Sequence, residues 1–289
     1  MIPAASTSSH YGRMLKHIGS RLATWEGLSK VARDPGVAFR FLRHWIWNAN
    51  FREETASDLL AKYQGSVGAL ERLAREHRAP LTARTVAQAF GDVSQTPDCL
   101  DLAGLFNHHG SDKAGVHDYH NLYAALLHGR RSDPLDILEI GLGTNTLTVR
   151  SNMGVGGRPG ASLRAFRDWA PKAQIHGADV DRTILFSEDR IATYWVDQTA
   201  PASLEELGRT LSPRKFDLII DDGLHEPHAN LNTVLFALEQ LKPGGHVVVE
   251  DVQSAGLPFW QIAATILRPP LWLQLLSTKA AYACVIGAR

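Results

Sequence analysis

Acidic residues follow two apolar stretches of the chain, each at the point where the stretch ends. In DLIIDDGLH the acids are Asp221 and Asp222, and in HVVVEDV they are Glu250 and Asp251. If both stretches are parallel strands of one sheet, all four carboxylates lie at its carboxyl edge, where open α/β sheets bind ligands. Carboxylates crowded there repel one another unless a cation or hydrogen-bond donors compensate. The pattern therefore predicts a divalent metal, a cationic ligand, or both.

A histidine lies close to the first acidic pair. His225 follows Asp222 by three residues, and it is a candidate metal ligand, a candidate general base, or an ordinary surface residue. The proximity to Asp222 favours a functional role, because an imidazole titrating near neutral pH can take a proton from a hydroxyl that a metal has acidified. His228 is a second candidate, ranked lower because it lies beyond Pro227 in the next predicted helix.

The elements that must position these residues alternate between strand and helix from about residue 135. The strand stretches are LDILEIGLG, QIHGADVD, IATYWVDQ, DLIIDDG and HVVVEDV, and the helical ones are ASLRAFRDW, LEELGRTL and NLNTVLFALEQL. Ser162 is the predicted N-cap of the first of these helices. The tail, LWLQLLS followed by AAYACVIGA, predicts a closing pair of strands. The alternation predicts an α/β fold with a doubly wound, Rossmann-like, mostly parallel sheet of seven strands.

Glycines follow the first predicted strand. Glu139 precedes Gly141 and Gly143, and glycines at a strand-to-helix turn let the backbone approach a ligand closely. Position 146 is Thr, so this stretch is not the G-x-G-x-x-G of dinucleotide-binding folds. The alternative is a tight turn that binds nothing. The glycine-rich loop TNTLTVRSNMGVGGRPG comes next, and long loops at a ligand edge are usually functional.

Acids also end the second and third predicted strands. Asp179, with Asp181, is placed to hold ribose hydroxyls, and the pair Asp197 and Gln198 has the groups to recognise an adenine edge. Each acid alone is equally compatible with an Asx turn or a helix cap. Their occurrence on successive strands predicts a ligand that contains adenosine.

A tyrosine pair precedes the alternating region, in HHGSDKAGVHDYHNLYAALL. Tyr119 and Tyr123 are four residues apart and share one helix face. That face either packs on the sheet or forms a lid over the cofactor.

Composition and charge narrow the function classes. The 289 residues include 30 Lys+Arg and 30 Asp+Glu, so a global basic field is absent and nucleic acid is not an expected partner. The two cysteines predict no disulfide framework, and Cys284 is predicted to be a buried core thiol. No apolar run reaches the length of a membrane span, and the N-terminus lacks a signal pattern. We therefore expect a cytoplasmic protein with no membrane partner.

The first part of the chain differs in character from the rest. Residues 1–98 are predicted to form a helical N-terminal region, and residues 99–289 form the core domain. The segment 39–51 is rich in aromatic residues, including Trp45 and Trp47. Exposed on a monomer it would be an unusually large apolar patch, so core packing or subunit contact is expected rather than a membrane anchor. A homo-oligomer would cover it, although packing within the chain would do so equally well.

Residues 105–252 taken together resemble the class I S-adenosylmethionine-dependent methyltransferases. Among these, the metal-dependent macrolide sugar O-methyltransferases of the mycinamicin type match best. The resemblance rests on GSDKAGVHDYHNLY, LEIGLG, GASLRAFRDW, IHGADVD, DQ, DDGLH and LKPGGHVVVED, of which DDGxH and ED are fairly specific. It implies that Asp222, Glu250 and Asp251 hold Mg²⁺ and that His225 is the general base. The expected S-adenosylmethionine site comprises Glu139, Gly141, Gly143, Ser162, Asp179, Asp197, Gln198, Asp221 and Tyr119.

The expected function is therefore Mg²⁺-dependent O-methylation of a hydroxyl on a sugar or glycosylated natural product. Carboxylate oxygens suit Mg²⁺ rather than zinc, and Mg²⁺ lowers the pKa of an alcohol that otherwise holds its proton too tightly. Two alternatives remain open. One is a metal-independent methyltransferase acting on another small molecule, and the other is a non-catalytic subunit that binds S-adenosylmethionine and a partner protein.

Overall fold

A computed structural model describes residues 82–288 together with residues 68–70, 72, 73 and 76. The chain divides into two units, Met1–Ser66 and Val67–Arg289, and every described residue lies in the second. The aromatic segment 39–51 and most of the predicted N-terminal region therefore lie outside the described residues. The homo-oligomer prediction, which rests on that segment, stays a prediction.

The described strands are β1 Arg84–Thr85, β2 Asp136–Ile140, β3 Gln174–Asp179, β4 Ser187–Glu188, β5 Ile191–Trp195, β6 Phe216–Asp221, β7 Leu241–Val252, β8 Leu271–Ser277 and β9 Tyr282–Ala288. They form one sheet in the order β1-β8-β9-β7-β6-β2-β3-β5-β4. The strands β7, β6, β2, β3 and β5 are parallel neighbours, and β9 runs antiparallel between β7 and β8. The doubly wound, mostly parallel sheet and the closing strand pair are confirmed.

The predicted number of seven strands is corrected to nine in the described part of the chain. The two additional strands, β1 and β4, are two residues long and lie at opposite edges of the sheet. Two residues are too few to show a period-two pattern in a sequence. The neighbouring helix places Phe90 against Trp272 of β8, with ring centroids 6.2 Å apart. Residues 84–90 therefore pack with the sheet, although the sequence assigns them to the N-terminal region.

Helices cover both faces of the sheet. They are α1 Val86–Phe90, α2 Pro97–His109, α3 Asp112–Gly115, α4 Tyr119–Leu126, α5 Ala161–Trp169, α6 Pro201–Leu211, α7 Pro227–Gln240 and α8 Leu257–Ile266. Adjacent residues of β2 enter different core clusters, Ile137 on one face and Leu138 on the other. Successive side chains of a strand point to opposite faces of the sheet. A strand that is buried on both faces is therefore apolar along its whole length in the sequence. Among the described helices, none combines the length and apolar character that crossing a membrane requires.

Two local predictions have different outcomes. The prediction that Ser162 is the N-cap of α5 is wrong, because the cap is Gly160 in the left-handed conformation (φ 72°) and Ser162 is the second helical residue. Glycine reaches that conformation without the cost that a Cβ imposes, so the helix begins two residues earlier than predicted. The prediction that Cys284 is a buried core thiol is confirmed, since it is free and fully buried.

Candidate active site

The carboxyl ends of the parallel strands border two adjoining cavities. The strand-end cavity, about 350 Å³, is lined by residues that include Gly141, Gly143, Asp179, Val180, Asp197, Gln198 and Asp222. The acidic cavity, about 300 Å³, is lined by residues that include Lys113, Gly141, Gly143, Glu139, Ser162, Asp222, His225, Glu250 and Asp251. Asp222 and the two glycines line both cavities. The sheet edge therefore brings together most of the site residues that the sequence predicts.

A buried lysine lies at the centre of the acidic cavity. The side chain of Lys113 is 3% exposed, and its Nζ lies 2.7 Å from Oδ2 of Asp222 and 3.2 Å from Oε1 of Glu139. The same ammonium also contacts Oε2 of Glu250. Burial opposes the charge, but attraction to Asp222, Glu250 and Glu139 more than offsets it and raises the pKa of Lys113 well above its usual value. The ammonium of Lys113 therefore supplies part of the positive charge that the clustered carboxylates require.

Sequence reasoning missed the role of Lys113. The residue lies 109 positions before Asp222 and 137 before Glu250, so no local spacing connects them. Its presence in the segment GSDKAGVHDYHNLY is a signal that could have drawn attention to it.

Glu250 has both carboxylate oxygens engaged. Oε2 is paired with Lys113, and Oε1 accepts a hydrogen bond from the hydroxyl of Tyr123. Burial raises the pKa of Glu250 well above its ordinary value; attraction to Lys113 opposes this, and repulsion from Asp222 and Glu139 adds to it. Glu250 is therefore held by protein groups at both of its oxygens.

Asp222, His225 and Asp251 form the part of the site that fits a divalent cation. One ligand atom from each lies within 4.8 Å of the other two. The Nε2 atom of His225 is 3.9 Å from Oδ1 of Asp222 and 3.9 Å from Oδ2 of Asp251. Burial raises the pKa of Asp222, but attraction to Lys113 and His225 lowers it by a larger amount. The pKa of Asp222 therefore lies below its ordinary value, and this carboxylate is ionised. Hard oxygen donors that carry charge are the ligands Mg²⁺ prefers.

The backbone at this site is held in an uncommon conformation. His225 and Asp251 have φ values of 57° and 52°, in the left-handed region that residues with a Cβ rarely adopt. Such residues persist where the surrounding structure fixes them, and they cluster at functional sites.

The turn after β2 approaches the turn after β6 closely. Gly141 has φ 100°, and a Cβ at this position would collide with the backbone carbonyl of Asp222. Gly143 has φ 78°, and a Cβ there would collide with the sulfur of Met153. The positive φ favours glycine at both positions, and at Gly141 the backbone of Asp222 leaves no room for a Cβ.

The acids of the strand-end cavity are held by backbone donors. Asp179 accepts from the N–H of Leu142 at 2.7 Å and from the N–H of Asp181 at 2.8 Å. Burial raises the pKa of Asp179, although these donors oppose the shift. Asp197 accepts from the N–H of Thr199 at 2.9 Å and remains half-buried beside the cavity.

Part of this chain resembles known proteins in sequence. No family model matches the chain. An 8-demethyl-8-alpha-L-rhamnosyl tetracenomycin-C 2'-O-methyltransferase from Streptomyces olivaceus is 32% identical over 182 residues, covering 63% of this chain and 44% of the relative. Mycinamicin VI 2''-O-methyltransferase from Micromonospora griseorubida is 32% identical over 176 residues, covering 60% of this chain and 41% of the relative. The chain resembles the S-adenosylmethionine-dependent sugar O-methyltransferases of the mycinamicin type.

A solved structure shows the same fold. MycE methyltransferase from the mycinamycin pathway, in complex with Mg and SAH, matches with a TM-score of 0.52 and 24% identity over 65% of this chain and 54% of that chain. The Rossmann-like methyltransferase fold and the predicted resemblance to mycinamicin-type O-methyltransferases are confirmed. The chain spans less than half the length of the two curated relatives.

Some of the predicted site residues do not line either cavity and instead bond to other residues. Asp221 is fully buried and accepts from the side-chain amides of Gln198 and Asn230. Tyr119, predicted to lie over the cofactor, is 1% exposed, and its hydroxyl is bonded to Asp251. His228 lies in α7, as predicted, and its exposed ring is 3.5 Å from Glu226.

Two other predicted residues, Gln198 and Ser162, line a cavity and also bond to neighbouring side chains. Gln198 lines the strand-end cavity, but its amide donates to Asp221 and to Thr233. Its carbonyl accepts from the N–H of Leu224 at 2.9 Å. Ser162 donates to Oε2 of Glu139 at 2.6 Å, so Glu139 is held between a hydroxyl and Lys113.

The glycine-rich loop 144–160 borders both cavities through Ser151. The hydroxyl of Ser151 donates to the backbone carbonyl of Leu224 at 3.0 Å, and Arg150 pairs with Glu226 at 2.7 Å. The loop is thus fastened to the segment that carries His225, as expected for a loop that borders a functional site.

Proposed function

We propose that the protein is a Mg²⁺-dependent, S-adenosylmethionine-dependent O-methyltransferase that methylates a hydroxyl of a sugar or glycosylated small molecule. The observation that carries the proposal is the convergence of Asp222, His225 and Asp251 beside the cavity bordered by Gly141 and Gly143. The names of the relatives support it, since one is a 2'-O-methyltransferase of a rhamnosyl tetracenomycin and the other a 2''-O-methyltransferase of mycinamicin VI, and MycE was solved with Mg and SAH. A cytoplasmic location and a homo-oligomeric state remain predictions.

The strand-end cavity is the proposed cofactor site. S-adenosylmethionine bound there supplies a methyl group on a sulfonium centre. Gly141 and Gly143 leave the backbone open to the ligand, and Asp179 and Asp197 offer carboxylate oxygens to ribose hydroxyls. Glu139, also expected to bind the cofactor, lines the acidic cavity and not the strand-end cavity, and it is held there by Lys113 and Ser162. Holding cofactor and acceptor in adjoining cavities supplies much of the rate, because the reacting atoms are already aligned.

The acidic cavity is the proposed acceptor and metal site. Asp222 and Asp251 would hold the metal through the oxygens that face His225, and Glu250 is the third carboxylate that the resemblance implies. Mg²⁺ bound there would act as a Lewis acid that lowers the pKa of the acceptor hydroxyl.

His225 is the proposed general base. Its Nε2 is 3.9 Å from the facing oxygens of both Asp222 and Asp251. This is beyond hydrogen-bond distance, so Nε2 is not hydrogen-bonded to either carboxylate. This nitrogen is therefore free to accept the hydroxyl proton as the methyl group is transferred. The two carboxylates stabilise the imidazolium that results.

One observation favours the metal-independent alternative. Lys113 already neutralises part of the negative charge of Glu139, Asp222 and Glu250, so the cluster does not depend wholly on a metal for compensation. In that alternative Asp222 and Asp251 would position the acceptor hydroxyl by accepting its hydrogen bonds.

The deciding experiment incubates the protein with S-adenosylmethionine and a panel of glycosylated acceptors, with and without chelator, and detects product by mass. We expect a singly methylated product that requires Mg²⁺ and is lost in Asp222→Asn. Asp189→Asn, a change at a highly exposed acid, is the matched control and should behave as wild type. Product formed equally in chelator would favour the metal-independent enzyme. Calorimetric binding of SAH without turnover on any acceptor would favour the non-catalytic subunit.

A further inference from the structure

Three strands deliver one carboxylate each to a single ammonium group. Glu139 belongs to β2, Asp222 follows β6, and Glu250 belongs to β7, and all three contact Nζ of Lys113. The side chains of Lys113, Glu139 and Glu250 are 3%, 1% and 1% exposed. An ammonium has three N–H donors, so one lysine can serve all three carboxylates at once.

The lysine also divides the oxygens of the cluster. It takes Oδ2 of Asp222 and leaves Oδ1 facing His225. Tyr119 takes Oδ1 of Asp251 in the same manner and leaves Oδ2 facing His225. Asp222 and Asp251 therefore each have one carboxylate oxygen held by a protein group and the other turned toward the imidazole of His225.

We propose that Lys113 is a positioning residue that acts as a resident cation and limits the acidic cavity to one divalent ion. The proposal rests on the metal of the proposed function. Without the ammonium, Glu139, Asp222 and Glu250 would present free oxygens within one buried space, which is the setting in which two-metal sites form. With the ammonium in place, a second divalent ion meets like charge where it would have to bind.

The test counts Mn²⁺ ions bound per chain by equilibrium dialysis with metal analysis, in wild type and in Lys113→Met. Methionine keeps the length and apolar stem of lysine without its charge. We expect one ion in wild type and two in Lys113→Met. Lys172→Met, a change at an exposed lysine, is the control and should bind one ion. One ion in both wild type and Lys113→Met would overturn the proposal, as would two ions in wild type.

A second measurement covers the case in which Lys113→Met folds poorly. Removing one partner of a buried ion pair should lower its Tm by about 10 °C in the absence of metal. The double variant Lys113→Met, Glu250→Gln restores the original charge balance of the cluster. If Lys113 is a counter-cation, the double variant should regain at least about half of that loss or, where the single variant does not fold, should itself fold. If Lys113 only fills space, the second change regains nothing, and the proposal is overturned.

These outcomes separate the inference from the proposed function. If wild type binds no Mn²⁺, the metal of the proposed function fails and the inference fails with it. If wild type binds one ion and Lys113→Met also binds one, only the inference fails.

Discussion

Tyr119 and Asp251 are joined by two hydrogen bonds. The phenol hydroxyl donates to Oδ1 of Asp251 at 2.8 Å and accepts from the backbone N–H of Asp251 at 2.9 Å. The pair fixes the backbone of Asp251 at φ 52° and turns its other carboxylate oxygen toward His225. Burial raises the pKa of Tyr119, so the phenol remains a donor across the working pH range.

Tyr119→Phe should therefore loosen Asp251 without removing it. Changes to groups that orient a metal ligand typically weaken metal affinity or activity by about 10- to 100-fold, and we expect Mn²⁺ affinity to fall in that range. The measurement is a Mn²⁺ titration of each variant. Tyr194→Phe, at a residue that lines a different cavity together with Asp136 and Lys242, is the matched control. Equal Mn²⁺ affinity in Tyr119→Phe and wild type would show that Asp251 does not depend on Tyr119.

His225→Gln should lower turnover by about 10²- to 10⁴-fold, the usual range for losing a general base. SAH affinity should change little, because His225 lies in the acidic cavity and not in the strand-end cavity. Steady-state kinetics and calorimetry measure the two effects. His228→Gln, which changes an exposed ring in α7, provides the comparison. A His225→Gln enzyme that keeps more than about half of the wild-type rate would assign the proton transfer to another group.

Asp222→Asn, Glu250→Gln and Asp251→Asn should each remove most of the activity, because each takes a carboxylate from the site that must hold Mg²⁺ against water. Binding of SAH should survive in all three, since the strand-end cavity keeps its other residues. Activity is followed against Mg²⁺ concentration, and partial recovery at high Mg²⁺ would support loss of a ligand. Full activity of these variants in excess chelator would refute the requirement for a metal ion.

Gly141→Ala should impair both folding and cofactor binding. The residue has φ 100°, and the added Cβ would collide with the carbonyl of Asp222, so we expect a loss of at least about 1–3 kcal/mol in the free energy of unfolding. Gly104→Ala in α2, where the added Cβ meets open space, should instead stabilise by about 0.5–1 kcal/mol. Urea denaturation of both variants tests the contrast. A Gly141→Ala variant as stable as wild type would mean that the turn can move away from Asp222.

His176 should make the protein sensitive to mild acid. Burial, with repulsion from Arg214, lowers the pKa of His176 to about 4, although Asp136 opposes the shift. The unfolded chain takes up this proton near pH 6.5, whereas the folded protein does so only near pH 4. The folded state is therefore favoured above pH 6.5, and it loses about 3 kcal/mol as the pH falls from 6.5 to 4.

Replacing His176 with Gln should remove that part of the pH dependence. Chemical denaturation of wild type and His176→Gln at several pH values between 4 and 7 measures it as a difference in slope. His128→Gln, at an exposed position, should keep the wild-type slope. Parallel curves for wild type and His176→Gln would show that His176 titrates alike in the folded and unfolded chains.

The sequence by itself determined the sheet and the sheet edge at which the site lies. Apolar runs of strand length that alternate with helical runs require a parallel sheet buried on both faces, and β2, β3, β5, β6 and β7 follow from that pattern alone. The joint position of Asp222 and His225 was equally predictable, because three residues after a strand end cannot lead far from it. The pairing of these residues with Asp251 followed once β6 and β7 were parallel neighbours.

The tertiary structure decided which of the acidic residues face the cavities and what neutralises them. Asp221 and Asp222 are adjacent and chemically equivalent, yet the first is buried against Gln198 and the second faces Lys113, because successive side chains of a strand point to opposite faces. Lys113 reaches Glu250 across 137 residues of chain. No periodicity encodes such a contact, because it depends on where α3 packs against the finished sheet, which is set by the burial of the whole core and not by any local pattern.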